Sequence, residues 1–214
     1  MNYALSAVIG YLIGTVNPAF IIAKLHGFDI REKGSRNAGA SNALLLFGKA
    51  KGIFCAVFDI AKAVFAVWLT ARVFAPVQTF AVTAAACILG HIFPFYMRFR
   101  GGKGLACIGG MILAYDLRVF AVMLAAELVI ALATNYICFV PITASLAFPA
   151  VYGVMERDLW GALLLTLVAG VVFCKHLVNL KRIRLGREAR LSYLWSRDKE
   201  TARLRENYGD DADD

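Results

Sequence analysis

The sequence has no paired-cysteine motif. Its five cysteines, Cys55, Cys87, Cys107, Cys138 and Cys174, include no C-x-x-C and all lie within or at the ends of apolar segments. That pattern excludes a disulfide framework and a zinc site, and leaves the thiols as small core residues. No basic stretch precedes the first apolar segment and no A-x-A-like site follows it, so a cleaved leader is not expected. Internal repeats and low-complexity tracts are also missing, and the chain reads as one domain. Charge is scarce: only 18% of the 214 residues are Asp, Glu, Lys or Arg. Those charges gather at residues 24–51, at 98–103 and after Cys174, leaving long apolar runs between them. A soluble globular domain does not have that distribution.

What is abundant is hydrophobicity, at 60% of residues and a mean hydropathy of +0.65. Apolar runs long enough to cross a bilayer recur along the chain. The expected fold is all-α: a polytopic integral membrane protein of about seven transmembrane helices, at about 3–24, 52–74, 78–97, 104–115, 117–135, 137–154 and 158–175. The fourth is short, covering only ~18 Å of a ~30 Å hydrocarbon core, and reads as a full or a half span. If it crosses, all three charged clusters face one side, which the excess of Lys and Arg makes cytoplasmic. The net charge of +8 then belongs to cytoplasmic loops, and no nucleic acid is implied. Residues 1–192 form the transmembrane domain and 193–214 a cytoplasmic tail, an interfacial helix leading into an acidic, disordered tip.

Three stretches carry polar chemistry. In "KGSRNAGASNALLLFGKAKG", residues 33–52, Gly34, Ser35, Arg36, Asn37, Gly39 and Asn42 form donor-rich backbone opening into a helix. That suits an anion seat, and equally an ordinary loop of turn residues. In "GHIFPFYMRFRGGKGLA", residues 90–106, Gly101, Gly102 and Gly104 flank Lys103 so that its ammonium can approach a phosphate. A Walker A loop is excluded because Gly104 stands where Ser or Thr is required. The alternative is a basic membrane-edge anchor. His91, at the end of its span, is a site candidate or a hydrogen-bonded core histidine. In "KHLVNLKRIRLGREARLS", residues 175–192, His176, Asn179 and Arg182 share one face if the last helix continues. Alone, that stretch is equally a charged stop. Asp59 and Lys62, at i and i+3 inside the second span, read as a structural ion pair that orients the site, the alternative being a direct part in catalysis.

Together these motifs identify a resemblance. Gly34, Ser35, Asn37, Gly39, Ala40, Ser41 and Asn42, then Gly90, His91, Pro94, Phe99, Gly101, Gly102, Lys103, Gly104 and Ala106, then His176, Asn179, Arg182, Gly186 and Glu188 stand in order and spacing. The sequence resembles the bacterial acyl-phosphate:glycerol-3-phosphate acyltransferases, the PlsY family. The resemblance implies transfer of a fatty acyl group from acyl phosphate to the 1-hydroxyl of glycerol 3-phosphate, giving lysophosphatidate and phosphate. It implies a multi-pass enzyme of the bacterial plasma membrane working at the cytoplasmic face, with no cofactor and no metal. Lys103 and the Gly101–Gly104 amides are then expected to hold one phosphate. Ser35, Asn37, Asn42, His176 and Asn179 position the other phosphate and the attacking hydroxyl, and the base is His176 or a substrate phosphate. Catalytic roles fall to Ser35, Lys103, His176 and Asn179. Gly34, Arg36, Asn37, Gly39, Asn42, His91, Gly101, Gly102, Gly104, Arg182 and Glu188 bind substrate.

None of the three histidines begins an H-x-x-x-x-D pattern, which argues against the acyl-CoA and acyl-carrier-protein acyltransferases. The chain departs from the family pattern in four places. Arg36 stands where glycine is usual, Leu45 where arginine is, Cys107 where threonine is, and Leu177 where arginine is common. Two other classes suit the same residues: a small transporter built on the intramembrane polar residues Asn17, Asp59, Lys62 and His91, and a catalytically altered or inactive paralogue suggested by Leu45.

Overall fold

A computed structural model describes residues 2–74, 76–196, 199–200 and 202–203. Among them there is no strand. The helices are α1 (Asn2–Thr15), α2 (Pro18–Leu25), α3 (Ala40–Phe47), α4 (Lys49–Val73), α5 (Pro76–Ile92), α6 (Leu105–Tyr115), α7 (Leu117–Thr134), α8 (Phe139–Glu156) and α9 (Leu159–Arg184). Among the described residues six stretches are long and apolar enough to cross a membrane, the first being α1 and α2 taken together. The all-α, polytopic membrane architecture expected from the sequence is the one observed.

The first span is broken, which corrects the continuous helix expected at 3–24. Pro18 has no N–H to continue the ladder, and Asn17 caps the new helix by accepting a hydrogen bond from the Phe20 amide at 2.8 Å. The carbonyls stranded at the break find other donors. Tyr96 donates its hydroxyl to Thr15 O at 2.7 Å, and Lys62 donates its ammonium to Val16 O at 2.6 Å.

α5 is the axis of the bundle. It packs against α1, α4, α6 and α9, and its Ala81, Ala84, Ala85, Cys87, Ile88 and Ile92 are buried in the main apolar core. At Gly10 and Gly14 of α1, and at Gly90 of α5, an added Cβ would collide with backbone of the facing helix. Close approach of these two helices therefore requires glycine. A second, smaller core of Ala19, Ala23, Ile30, Ala38, Ala43, Cys55 and Met97 lies under the segment joining α2 to α3 and seats that segment on the bundle.

α6 has 11 residues, about 16 Å of helix. It runs from the glycine turn toward the opposite end of the bundle. Its last residue, Tyr115, donates its hydroxyl to Glu156 at the end of α8 at 2.8 Å and packs its ring on Phe80 in the first half of α5. At the other end of the bundle Asn135, which ends α7, accepts hydrogen bonds from the amides of Leu191 and Ser192, beyond α9. The segments 26–39, 93–104, 135–138 and 185–196 thus lie at one end. In the 101–104 turn before α6, Gly102 and Gly104 are buried and Gly101 and Lys103 half-buried.

Candidate active site

The segment before α3 is built around one buried amide. Asn42, fully buried, accepts from the Ser35 amide at 2.9 Å and donates to the carbonyls of Ile30 and Lys33, both at 3.0 Å. Every polar atom of that side chain is committed to the loop, which corrects the substrate-binding role expected for Asn42. The loop turns through left-handed backbone at Gly34 and Arg36, both at φ 60°. At Gly39 an added Cβ would sit 2.8 Å from Asn37 Nδ2, so glycine lets the Asn37 amide fold over the chain. Asn17 donates to Ala38 O at 2.8 Å and so ties the helix break to this loop. Among the described residues no hydrogen bond engages the Ser35 hydroxyl or the Arg36 guanidinium.

The second motif begins where Pro94 stops α5. The carbonyls left at that helix end are capped by the glycines: the Gly101 amide donates to Ile92 O at 2.9 Å and the Gly102 amide to His91 O at 3.1 Å. These two amides are therefore not phosphate donors, contrary to expectation. Their side-chain space is filled as well. A Cβ at Gly102 would strike the His91 ring and lie 3.0 Å from Ala38 O, which is where the first and second motifs touch. Gly104, at φ 95°, opens α6 and leaves the first-turn amides of that helix without intrahelical partners.

The third motif rests on α9, which runs straight on to Arg184, so that His176, Asn179 and Arg182 do lie on one continuous helix. The Lys103 ammonium donates to Asn179 Oδ1. Asn179 in turn donates from Nδ2 to Glu188 Oε1 at 2.5 Å, after the chain reverses through Gly186. His176 donates Nδ1–H to Val172 O at 2.8 Å; a carbonyl can only accept, so Nε2 carries the free lone pair. Burial lowers the Lys103 pKa below the usual lysine value, and Arg182 and Lys175 add to that against the pull of Glu188. Burial likewise raises the Glu188 carboxyl, opposed by the Asn179 hydrogen bond and the charges of Lys103 and Arg182.

Beneath the 101–104 turn, Asp59 Oδ1 lies 2.6 Å from Lys62 Nζ and 3.5 Å from His91 Nδ1, with all three side chains buried. Lys62 Nζ is also 3.0 Å from His91 Nδ1. His91, expected to bind substrate, is instead buried in an internal cluster under the turn, with Nδ1 turned to Asp59 and Lys62. Asp59, His91 and Cys107 bring three ligand-type atoms within 4.8 Å of one another, but the Lys62 ammonium already occupies the electrostatic seat a metal ion would take. Asn17, Asp59, Lys62 and His91, the residues that also suit a transporter, are all engaged in these internal bonds.

The structure thus joins Lys103, Asn179 and Glu188 directly, with His176 and Arg182 on the same helix, and sets the Ala38 carbonyl against Gly102. Sequence reasoning missed the bracing parts of Asn17 and Tyr96. The Asn17-Pro18 pair signals the first; nothing local signals the second.

The geometry has relatives. The profile of the glycerol-3-phosphate acyltransferase family matches residues 4–186. The chain is 36% identical over 186 residues to a glycerol-3-phosphate acyltransferase of Symbiobacterium thermophilum, covering 86% of this chain and 92% of the relative. It is 35% identical over 187 residues to one of Legionella pneumophila strain Corby, covering 87% and 68%. The crystal structure of PlsY (YgiH), an integral membrane glycerol 3-phosphate acyltransferase, in its glycerol 3-phosphate form superposes with a TM-score of 0.81 at 27% identity, covering 91% of this chain and 98% of that one. Its lysophosphatidic acid form gives 0.77 at 26%, covering 89% and 95%. The chain belongs to the glycerol-3-phosphate acyltransferase family.

Proposed function

We propose that this protein transfers a fatty acyl group from acyl phosphate to the 1-hydroxyl of glycerol 3-phosphate at the cytoplasmic face of a bacterial plasma membrane. Lysophosphatidate and phosphate are the products. Solved relatives in glycerol 3-phosphate and lysophosphatidic acid forms support the acceptor and the product. The observation that carries the reading is the chain from Lys103 through Asn179 to Glu188. It presents a cation at the tip of a glycine turn, held by a neutral amide that a phosphate can displace.

In the reaction the 1-hydroxyl oxygen bonds to the acyl carbonyl carbon and the bond from that carbon to the phosphate oxygen breaks. The hydroxyl proton leaves to His176 Nε2 or to a substrate phosphate, and inorganic phosphate departs with the electron pair. Acyl phosphate is already activated, so orientation and charge stabilisation are what the protein supplies. Lys103 with the first-turn amides of α6 holds one phosphate. Ser35, Arg36, Asn37 and Arg182 surround the other, and Asn179 orients Lys103.

The test is purified protein in lipid given acyl phosphate and labelled glycerol 3-phosphate, with acyl-CoA as the alternative donor. Lysophosphatidate formed from acyl phosphate and not from acyl-CoA is the expected result. Equal use of acyl-CoA, or no acylated product, overturns the reading.

A further inference from the structure

Two arginines outside the three motifs are built in the same way. Arg31 lies side-on to Asp29, with Nε donating to Oδ1 at 2.8 Å and Nη2 to Oδ2 at 2.5 Å. Its remaining nitrogen, Nη1, donates to Met97 O at 2.5 Å and Arg100 O at 3.2 Å. Arg203 lies side-on to Glu200, with Nε donating to Oε2 at 3.1 Å and Nη2 to Oε1 at 2.5 Å. It donates to Gly186 O at 2.6 Å through Nη1 and to Glu188 O at 2.7 Å through Nη2. In each case a carboxylate fixes the guanidinium plane, and the free edge grips two carbonyls of one turn.

One gripped turn, 97–100, leads three residues on into Lys103, and the other, 186–188, ends on Glu188, the two ends of the Lys103–Asn179–Glu188 chain. Between Met97 and Arg100 stand Arg98 and Phe99, consecutive non-glycine residues in left-handed backbone at φ 53° and 57°. Residues with a Cβ resist that conformation, so a turn containing two of them needs holding, and the Arg31 bonds straddle the pair. The Asp29 carboxyl is pulled down to about 2, chiefly by the Arg31 hydrogen bond, so the first clamp stays charged at neutral pH. The second comes from beyond the family match, which ends at residue 186. Its carboxylate, Glu200, is buried and also accepts from the Arg190 amide at 2.9 Å.

We propose that Arg31 and Arg203 are positioning residues for acyl transfer, clamping the two turns that hold Lys103 and Glu188 in register. The proposal rests on the acyltransferase reading given above. The last described residues of the chain are, on this view, part of the catalytic unit, which moves its boundary past residue 192.

The experiment uses the full chain in lipid nanodiscs. Arg31→Lys and Arg203→Lys keep the charge and lose the fork. Each is expected to lower kcat about tenfold, with KM for glycerol 3-phosphate within threefold and the thermal midpoint within a few degrees of wild type. The double variant is expected to lose much less than the hundredfold product, because both act through one hydrogen-bond chain. Independently of turnover, labelling of Lys103 by a water-soluble amine reagent, read by mass spectrometry, is expected to rise at least fivefold while the exposed Lys49, which touches neither clamp, is unchanged. Should a lysine variant fail to fold, Asp29→Asn and Glu200→Gln loosen the same clamps with the arginines in place. Wild-type kcat and unchanged Lys103 labelling in the variants overturn the clamps, as does a loss of kcat that only tracks a falling midpoint. An inactive wild type whose variants still expose Lys103 overturns the acyltransferase reading and leaves the clamps standing.

Discussion

The Lys103 ammonium donates to the side-chain oxygen of Asn179, bridging 76 residues of sequence and joining the turn before α6 to the last helix. The other side of that amide is held by Glu188. An asparagine between a lysine and a glutamate does what a direct ion pair would not. It orients the cation without neutralising it, leaving its charge available to an incoming phosphate.

The first prediction is a pH profile. Lys103 acts as a cation, and burial already lowers its pKa, so activity should fall on the alkaline side below the ordinary lysine range. Glu188 raises the Lys103 pKa, so Glu188→Gln should move that limb of kcat against pH to still lower pH. A limb that stays put or moves upward means that Glu188 does not support the charge of Lys103.

Arg36 offers a test of stability against function. Its φ of 60° is a glycine conformation, in keeping with the glycine usual at this place in the PlsY family. Arg36→Gly relieves about 1 kcal/mol of backbone strain, part of which glycine's greater unfolded-state entropy offsets. The expected result is a thermal midpoint equal to or slightly above wild type, with KM for glycerol 3-phosphate raised about tenfold by loss of a phosphate-facing cation. An unchanged KM removes Arg36 from the site.

The buried cluster under the turn predicts an asymmetric mutant pair. Lys62→Met leaves Asp59 buried beside His91 alone and uncaps Val16, and is expected to cost about 3–5 kcal/mol in a denaturant titration. Adding Asp59→Leu should recover much of it, because the uncompensated charge goes too. If the second substitution adds to the loss, the cluster is more than a matched pair.

Sidedness supplies a fourth prediction. In a Cys174→Ser background, Ser35→Cys, Arg36→Cys and Arg182→Cys should all react with an impermeant thiol reagent from the cytoplasmic face of sealed vesicles, and Arg157→Cys from the opposite face. Reaction of the first three from different faces contradicts a single site.

Much of this was legible in the sequence because it depends on local pattern. Apolar runs gave the spans, and the spacing of His176, Asn179 and Arg182 gave their shared face once α9 continued to Arg184. What escaped is set by backbone accounting. A proline after an asparagine splits the first span, and the carbonyls it strands recruit Lys62 and Tyr96 from distant helices. The carbonyls at the end of α5 claim the Gly101 and Gly102 amides before any ligand does, and three loop groups saturate Asn42. Arg31 meets carbonyls 66 and 69 residues away, a pairing that no spacing rule contains. Residues 204–214, where the acidic tip was expected, lie outside the described residues.

The most direct test is the turnover of Lys103→Ala with acyl phosphate and labelled glycerol 3-phosphate, in protein shown by its thermal midpoint to remain folded. Removing one preorganised donor to developing charge is expected to lower kcat by about 10²–10³-fold. Turnover within threefold of wild type would mean that the cation at the tip of the glycine turn is not where the reaction is catalysed.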